Sequence, residues 1–589
     1  MVAAVTGQVQ TNSPGFDVRD YVMLRQYYEA LRSQKLGERS TWDPHWDQLR
    51  AYFEPRGTRF NTSDANQGSR QDYEIINEEG MLALDILASG MLTGMSNPTL
   101  EWFKIGLEDE AANKLPAVRQ WCEDVEDILR RIFVKSNFYQ TLLQFYREQG
   151  LYGTSAFLIE EDRDPDPRRN ATIRCIPYPI GEYSLGLDQQ LRVDLAIREV
   201  SMTARQVVEK YGYDRVSRST RTLNDSPSGG VKEQRRRIVH IIHRNTYLGD
   251  QADRLVKMPW VSCQYELDSY DQDTAITKCA GYWENPLIAG RWYVNGENAY
   301  GESPAMRVLG SNKSLQSYED RQALGLERMI NPTMLSGADV DTSRYAALPG
   351  DIIPVDAQDV TKVFAPAYQI DFGKAAEVVE QKIARIVDRI KRGLFVTAFQ
   401  AITDLDRRQM TAEETRARIN EQIQILGPVV ERNVEESLTP AVVRTLGIAF
   451  RKQMLPPMPK EMHGARMKIG FESILAAAQR MKRGTNITTF FAWIGQEVAV
   501  DQGIMDNVDI DEAARELADI YQVPNKILRS EDEVAKIRKS KAEQQAAAQR
   551  AEQAPKLAQA AQTMASIPAD GGANSLLSKV MPAMAGGQQ

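Results

Sequence analysis

Between Lys374 and Phe399, five apolar side chains (Val379, Ile383, Ile386, Ile390 and Leu394) follow one another at spacings of 4, 3, 4 and 4. That period draws one apolar stripe along a long helix, and such a stripe has to be buried against another element. Six basic residues (Lys374, Lys382, Arg385, Arg389, Lys391 and Arg392) lie on the same segment against three acids. Pro304–Met329 also reads as a long helix. Between the two stands an insert carrying Pro332, Gly337, Pro349-Gly350, Pro354 and Pro366, a composition that excludes continuous helix. Downstream, a short charged loop, Gln400–Met410, leads into the capping box Thr411-x-x-Glu414. Ile419, Ile423, Leu426, Val430, Val434, Leu438 and Val442 then continue an apolar stripe, with a kink expected at Gly427-Pro428 and a stop at Pro456-Pro457.

The rest of the chain reads in blocks. Helix is expected from Val18, from Trp42-Asp43-Pro44, over Glu78–Met95 and over Val118–Gln149, the last broken near Ser136-Asn137. Strands are expected at Trp102–Leu107, Thr154–Glu160, Thr172–Pro177, Leu191–Val200, Arg237–Arg244, Val261–Leu267 and Ile288–Val294, with polar loops between. Asp225–Gly230 reads as a flexible tip. Beyond Lys541 the sequence is rich in Ala, Gln, Lys and Glu and has few large apolar side chains, which predicts a helix-favouring but weakly packed end.

Several function classes lose ground here. A formal net charge of −8 over 589 residues argues against a protein that coats DNA through bulk positive charge, though not against a local basic surface. Cys122, Cys175, Cys263 and Cys279 stand far apart without a CxxC, so four reduced thiols are expected. The uncharged, largely apolar stretch Ile86–Leu100 is too short for a membrane span, and Met1–Asp20 lacks the pattern of a secretory signal. A soluble protein made in the cytoplasm is the expectation. His240 and His243 are three apart in an expected strand and so face opposite sides, unsuited to share a metal. Gly373-Lys374 is followed by Ala375 and lacks the upstream glycine of a phosphate loop, and Gly301-Glu302-Ser303-Pro304-Ala305 is no nucleophile elbow. Two segments could meet nucleic acid. One is Asp214–Arg237, with seven basic and three acidic residues, and the other is the basic side of Lys374–Phe399.

The order of long helix, proline-rich insert, long helix, charged loop and kinked helix is accompanied by particular stretches. They are Ser89-Gly90-Met91-Leu92-Thr93-Gly94-Met95 before Trp102-Phe103, and Arg291-Trp292 before Glu297-x-x-Tyr300-Gly301-x-Ser303-Pro304-Ala305. Leu426-Gly427-Pro428-Val429 and Val523-Pro524 before Leu528-Arg529-Ser530 follow. Together, over residues from about 20 to 545, they resemble the head-to-tail connector (portal) family of short-tailed, podovirus-type bacteriophages. The resemblance implies an α+β, mainly helical chain. Its parts would be a wing over 1–303, a first stem helix over 304–331, a clip over 332–372 and a second stem helix over 373–399. A channel loop over 400–410, a kinked spine helix with wing return over 411–500, a crown over 501–545 and a flexible tail over 546–589 complete it.

It further implies a homo-oligomeric ring, a dodecamer, at one capsid vertex of the virion, after synthesis in the host cytoplasm. The implied partners are double-stranded DNA in a central channel, a terminase motor that brings its own ATPase, tail and adaptor proteins, and capsid and scaffolding proteins. No membrane, catalytic residue, metal or cofactor is implied. Lys382, Arg385, Arg389, Lys391, Arg392, Arg407 and Arg408 are then the candidates to face DNA. Ion pairing at the surface or between subunits stays open for Arg407 and Arg408. The competing readings are another head-completion or tail adaptor, which should lack the insert, and a metal- or NTP-dependent enzyme.

Overall fold

Helices α1 (Val18–Ser40), α2 (Asp43–Phe53) and α3 (Glu79–Met95) open the chain where the sequence assigns them. Pro44 sits in the first turn of α2, where a missing N–H leaves no bond unmade. Small residues let α3 be approached closely: a Cβ on Gly90 would fall 2.2 Å from the Phe399 ring. Strand β1 (Phe103–Leu107), α4 (Glu110–Asn113), α5 (Pro116–Lys135) and α6 (Phe138–Tyr152) follow. The break between α5 and α6 falls where expected. There the Asn137 side-chain amide donates to the Cys175 carbonyl at 2.7 Å and accepts from its N–H at 2.9 Å, as a strand would.

The middle folds into two antiparallel sheets. Strands β2 (Thr154–Glu161), β3 (Ile173–Tyr178) and β9 (Leu287–Arg291) make one, with β2 central. The other has the order β4 (Tyr183–Leu187), β5 (Val193–Thr203), β6 (Arg235–Arg244), β7 (Trp260–Glu266) and β8 (Lys278–Tyr282). The expected polar segment before β6 holds short helices α7 (Ala204–Tyr211), α8 (Arg218–Asp225) and α9 (Gly229–Lys232), so the Asp225–Gly230 tip is partly helical. Strands β4 and β8, with sequences YSLGL and KCAGY, were not foreseen, because neither has the β-branched content that marks a strand. The expectation of four reduced thiols also needs correction. Antiparallel register sets Cys263 opposite Cys279, and the two form a disulfide, while Cys122 and Cys175 are free and buried.

Helix α10 (Pro304–Ile330) comes next, then three short strands, β10 (Met334–Gly337), β11 (Ile352–Val355) and β12 (Ala365–Pro366). β10 is central, parallel to β11 and antiparallel to β12. The long helix expected over Lys374–Phe399 is in fact two, α11 (Phe372–Gly393) and α12 (Val396–Asp404). Phe395 adopts a left-handed backbone, φ 57°, and breaks the run. The break turns Val396, Ala398 and Phe399 into the core, with Phe399 seated on bare Gly90. Residues 426–433 form α13, which passes through a wide five-residue turn, Val434–Leu438, into α14 (Thr439–Arg451). Gly427 and Pro428 are helical, and among the described residues of this run the irregularity lies at that turn instead. Pro440 has no N–H to offer Glu436, and the Thr439 N–H reaches back five residues to Val434. Strand β13 (Met467–Phe471) finally returns to pair with β1, Phe103 opposite Phe471.

In this computed structural model the described residues are 18–57, 72–113, 115–162, 171–247, 257–330, 334–337, 352–355, 365–366, 372–404, 426–462, 464–471, 487–494, 508–520 and 533–547. All the elements named so far belong to one unit, Met1–Gln479. A second unit, Arg480–Gln589, contains helical residues 487–494, Ile510–Ile520 and 533–547. In it Arg538 grips Asp511 through two contacts of 2.5 and 2.7 Å. The Thr411 capping box, Ile419 and Ile423 lie outside the described residues.

Candidate nucleic-acid interface

The apolar stripe of α11 decides which way its cations point. Ile386, Ile390 and Leu394 are buried, and Gly393 lies so close to α10 that a Cβ there would meet Val308 Cγ1 at 2.2 Å. At about 100° per residue, Lys382, Arg385, Arg389 and Arg392 share an arc of about 80°, centred about 120° from the stripe. All four are exposed. They form a ridge about 15 Å long, at about 1.5 Å per residue. Its charges are only lightly compensated. Arg392 pairs with Asp388 at 2.6 Å one turn back, an exposed pair of little energetic weight, and Lys382 Nζ lies 5.9 Å from the centre of the Tyr318 ring on α10. Arg385 and Arg389 make no ion pair among the described residues.

Lys391 does not belong to the ridge. It leaves α11 on the far side and its Nζ meets Glu79 Oε1 of α3 at 3.1 Å, tying the two helices together. Arg407 and Arg408 lie outside the described residues, and the first part of their expected loop, Gln400–Asp404, is the end of α12.

The other basic segment, Asp214–Arg237, is largely spent on its own fold. Arg237 is held by Asp268 at 2.7 Å, Arg236 by the Ser219 hydroxyl, and the Arg221 Nε donates to the Val216 carbonyl at 2.9 Å. His240 and His243 do face opposite sides of β6. His240 contacts Ser262 Oγ at 2.8 Å, and His243 Nε2 lies 2.8 Å from Tyr28 Oη. Burial lowers the pKa of both, that of His240 to about 3, so both are neutral packing elements. Among the described residues no group of three or more His, Cys, Asp or Glu could hold a metal ion, and no helix is long and apolar enough to cross a membrane.

One surface was not singled out from the sequence. Toward the insert, α10 exposes Leu324, Leu326, Met329 and Ile330, and α11 exposes Val378. The signal available was the run Leu324-x-Leu326-x-x-Met329-Ile330, in which Leu326 and Ile330 continue the phase of Val308, Leu309 and Leu315 past the point where that face is buried.

A cationic ridge backed by a buried stripe thus lies on one of two paired long helices that flank a small strand insert. The chain belongs to the family of bacteriophage head to tail connecting proteins, whose model matches residues 24–528. It is 32% identical over 533 residues to the portal protein of Salmonella phage epsilon15, covering 90% of this chain and 94% of that one. A probable portal protein of Bordetella phage BPP-1 is 30% identical over 514 residues, covering 87% of this chain and 90% of its relative.

Proposed function

We propose that this chain is the portal subunit of a short-tailed phage, a structural protein that forms a ring joining capsid to tail at one vertex of the virion. The observation that carries the reading is the α10–α11 pair, which brackets the three-stranded insert and turns the Lys382–Arg392 ridge outward. Residues 304–331 and 373–399 are the stem, the second half of it bent at Phe395, and 332–372 are the clip that meets the terminase motor and later the tail. Residues 1–303 with part of 411–500 form the wing, 400–410 the channel loop, 501–545 the crown and 546–589 a tail. Twelve copies close head to tail around double-stranded DNA.

The ridge suits passage better than grip. Duplex DNA presents roughly nine phosphate charges over about 15 Å of axis, more than one ridge can neutralise, and each firm contact would add affinity through counterion release. A chain of net charge −8 with sparse, partly compensated cations attracts DNA and lets it slide. Native mass measurement and particle images of the purified full-length protein test the reading. A twelve-fold ring with a channel of about 20 Å or more, wide enough for a duplex on groove dimensions, is expected. A monodisperse monomer or dimer under capsid-assembly conditions would overturn it.

A further inference from the structure

Cys263 on β7 and Cys279 on β8 stand directly opposite one another, with Cα atoms 4.3 Å apart. That spacing marks a non-hydrogen-bonded pair of an antiparallel ladder, where side chains approach most closely. Next along the ladder Gln264 stands opposite Lys278, and just before β8 the Thr277 N–H also donates to the Gln264 carbonyl at 2.9 Å, one residue off the ladder register. Strand β8 is an edge of its sheet, paired on one side only by β7. Cys263 is fully buried beneath α1, with Tyr28 Oη 3.7 Å from its sulfur, while Cys279 is 5% exposed on the edge strand. The remaining thiols differ in lacking a cysteine opposite them, not in burial, since Cys122 is 6% exposed. Cys122 and Cys175 stand on separate elements, α5 and β3, with no second cysteine to close a disulfide, and burial pushes their thiols up to about 11 and about 12.

We propose that Cys263 and Cys279 are a redox-responsive cross-link, a dithiol in a thiol-rich compartment that closes to a disulfide when a small-molecule disulfide reaches the β8 edge. The exchange balances in two displacements. Cys279, the sulfur on the edge strand, attacks the small disulfide as thiolate, forms a mixed disulfide and expels one small thiolate. Cys263 then attacks the Cys279 sulfur, forms the intrachain bond and expels the second. Two electrons pass from the cysteine pair to the oxidant, and the two protein thiol protons end on the two released thiols. The product ties an edge strand to the sheet interior and closes a 16-residue separation. It therefore restricts fraying of β8 and of the Gln272–Thr274 turn, where Arg25 of α1 donates to the Ala275 carbonyl at 3.1 Å.

The test uses the full-length protein, reduced with dithiothreitol, desalted, and divided between oxidised glutathione and buffer under native conditions. Both halves are denatured in an alkylating reagent, and free thiols are counted and mapped by mass spectrometry without reduction. Four free thiols before oxidation and two after are expected, the lost pair recovered as one peptide linked through Cys263 and Cys279. Amide hydrogen exchange over Lys278–Tyr282 should slow about tenfold or more on oxidation. Cys263→Ser should retain Cys279 as a mixed disulfide with glutathione. If that variant fails to fold, the wild-type thiol count still decides. Four thiols still free, glutathione on Cys122 or Cys175, or a formed cross-link with unchanged β8 exchange would each overturn the proposal.

Discussion

Glu148 on α6 places a carboxyl group in the interior of the first unit, and replacing it with glutamine tests how the core handles charge. Among the described residues its side-chain donors are Gln144 Nε2, 3.1 Å from Oε1, and Ser155 Oγ, 3.4 Å from Oε2. Burial raises its pKa from 4.5 to about 8; the charges of Glu54 and Glu182 push the same way and the two hydrogen bonds oppose. The folded state thus holds a proton that the unfolded chain has released. Between pH 4.5 and 8 the native state binds more protons, so stability falls as pH rises through that window. At pH 7 the gap from the unfolded value is about 2.5 pH units, or about 3 kcal/mol at 1.36 kcal/mol per unit.

Glu148→Gln keeps the shape and removes the titration. One weak hydrogen bond is misdirected, at a cost of about 1 kcal/mol, so a net gain of about 2 kcal/mol is expected at pH 7, vanishing near pH 5. Urea unfolding of both proteins from pH 5 to 8.5 reads this out. Because Glu126 titrates in both, the difference between the curves isolates one proton at position 148. Parallel curves, or a variant less stable at pH 8 than at pH 5 relative to wild type, would refute the reasoning.

Glu126→Ala should cost about 1–3 kcal/mol in chemical denaturation, because Glu126 Oε1 accepts from the buried Ile105 N–H at 2.6 Å on the unpaired side of β1 and alanine leaves that donor orphaned. Glu126→Gln keeps an acceptor and should be far milder; burial raises the carboxyl to about 7, so wild-type stability at this site also declines as pH rises from 4.5 toward 7. Replacing Lys382, Arg385 and Arg389 together with glutamine should leave stability within about 0.5 kcal/mol. The same variant should lower the slope of log affinity for duplex DNA against log salt by about 2.7, on about 0.9 per phosphate contact, read by fluorescence anisotropy. An unchanged slope would remove the ridge from the DNA path. Arg407→Ala with Arg408→Ala should leave ring assembly intact on particle images and impair retention of packaged DNA; failure to form rings would make these arginines interface residues.

The sequence carried what depends on period and local chemistry, and lost what depends on contacts made far away. The α11 stripe marked the packed face, with Ile386, Ile390 and Leu394 buried and Val379 and Ile383 half-buried, because a helix repeats its faces regardless of what packs on them. It did not predict the end of that helix. Leu394 continues the period and is buried, yet Phe395 turns left-handed, and the gain that offsets this is Val396 and Phe399 packing where α3 presents Gly90. The β1–β13 pair and the Cys263–Cys279 juxtaposition were illegible for a similar reason, since register between strands is fixed by the turn and the sheet rather than by either strand. Proline alone did not locate the wide turn. Pro428 sits in regular helix, whereas the disturbance surrounds Glu436, whose carboxylate clasps the buried Arg291 guanidinium of β9 at 2.7 Å. The cations of α11 are the opposite case. Lys391 is nine residues from Lys382, about half a turn out of phase by helical arithmetic, so its separation from the ridge was already written in the sequence. Reading the six basic residues as one face missed it, and the Glu79 contact follows from that phase.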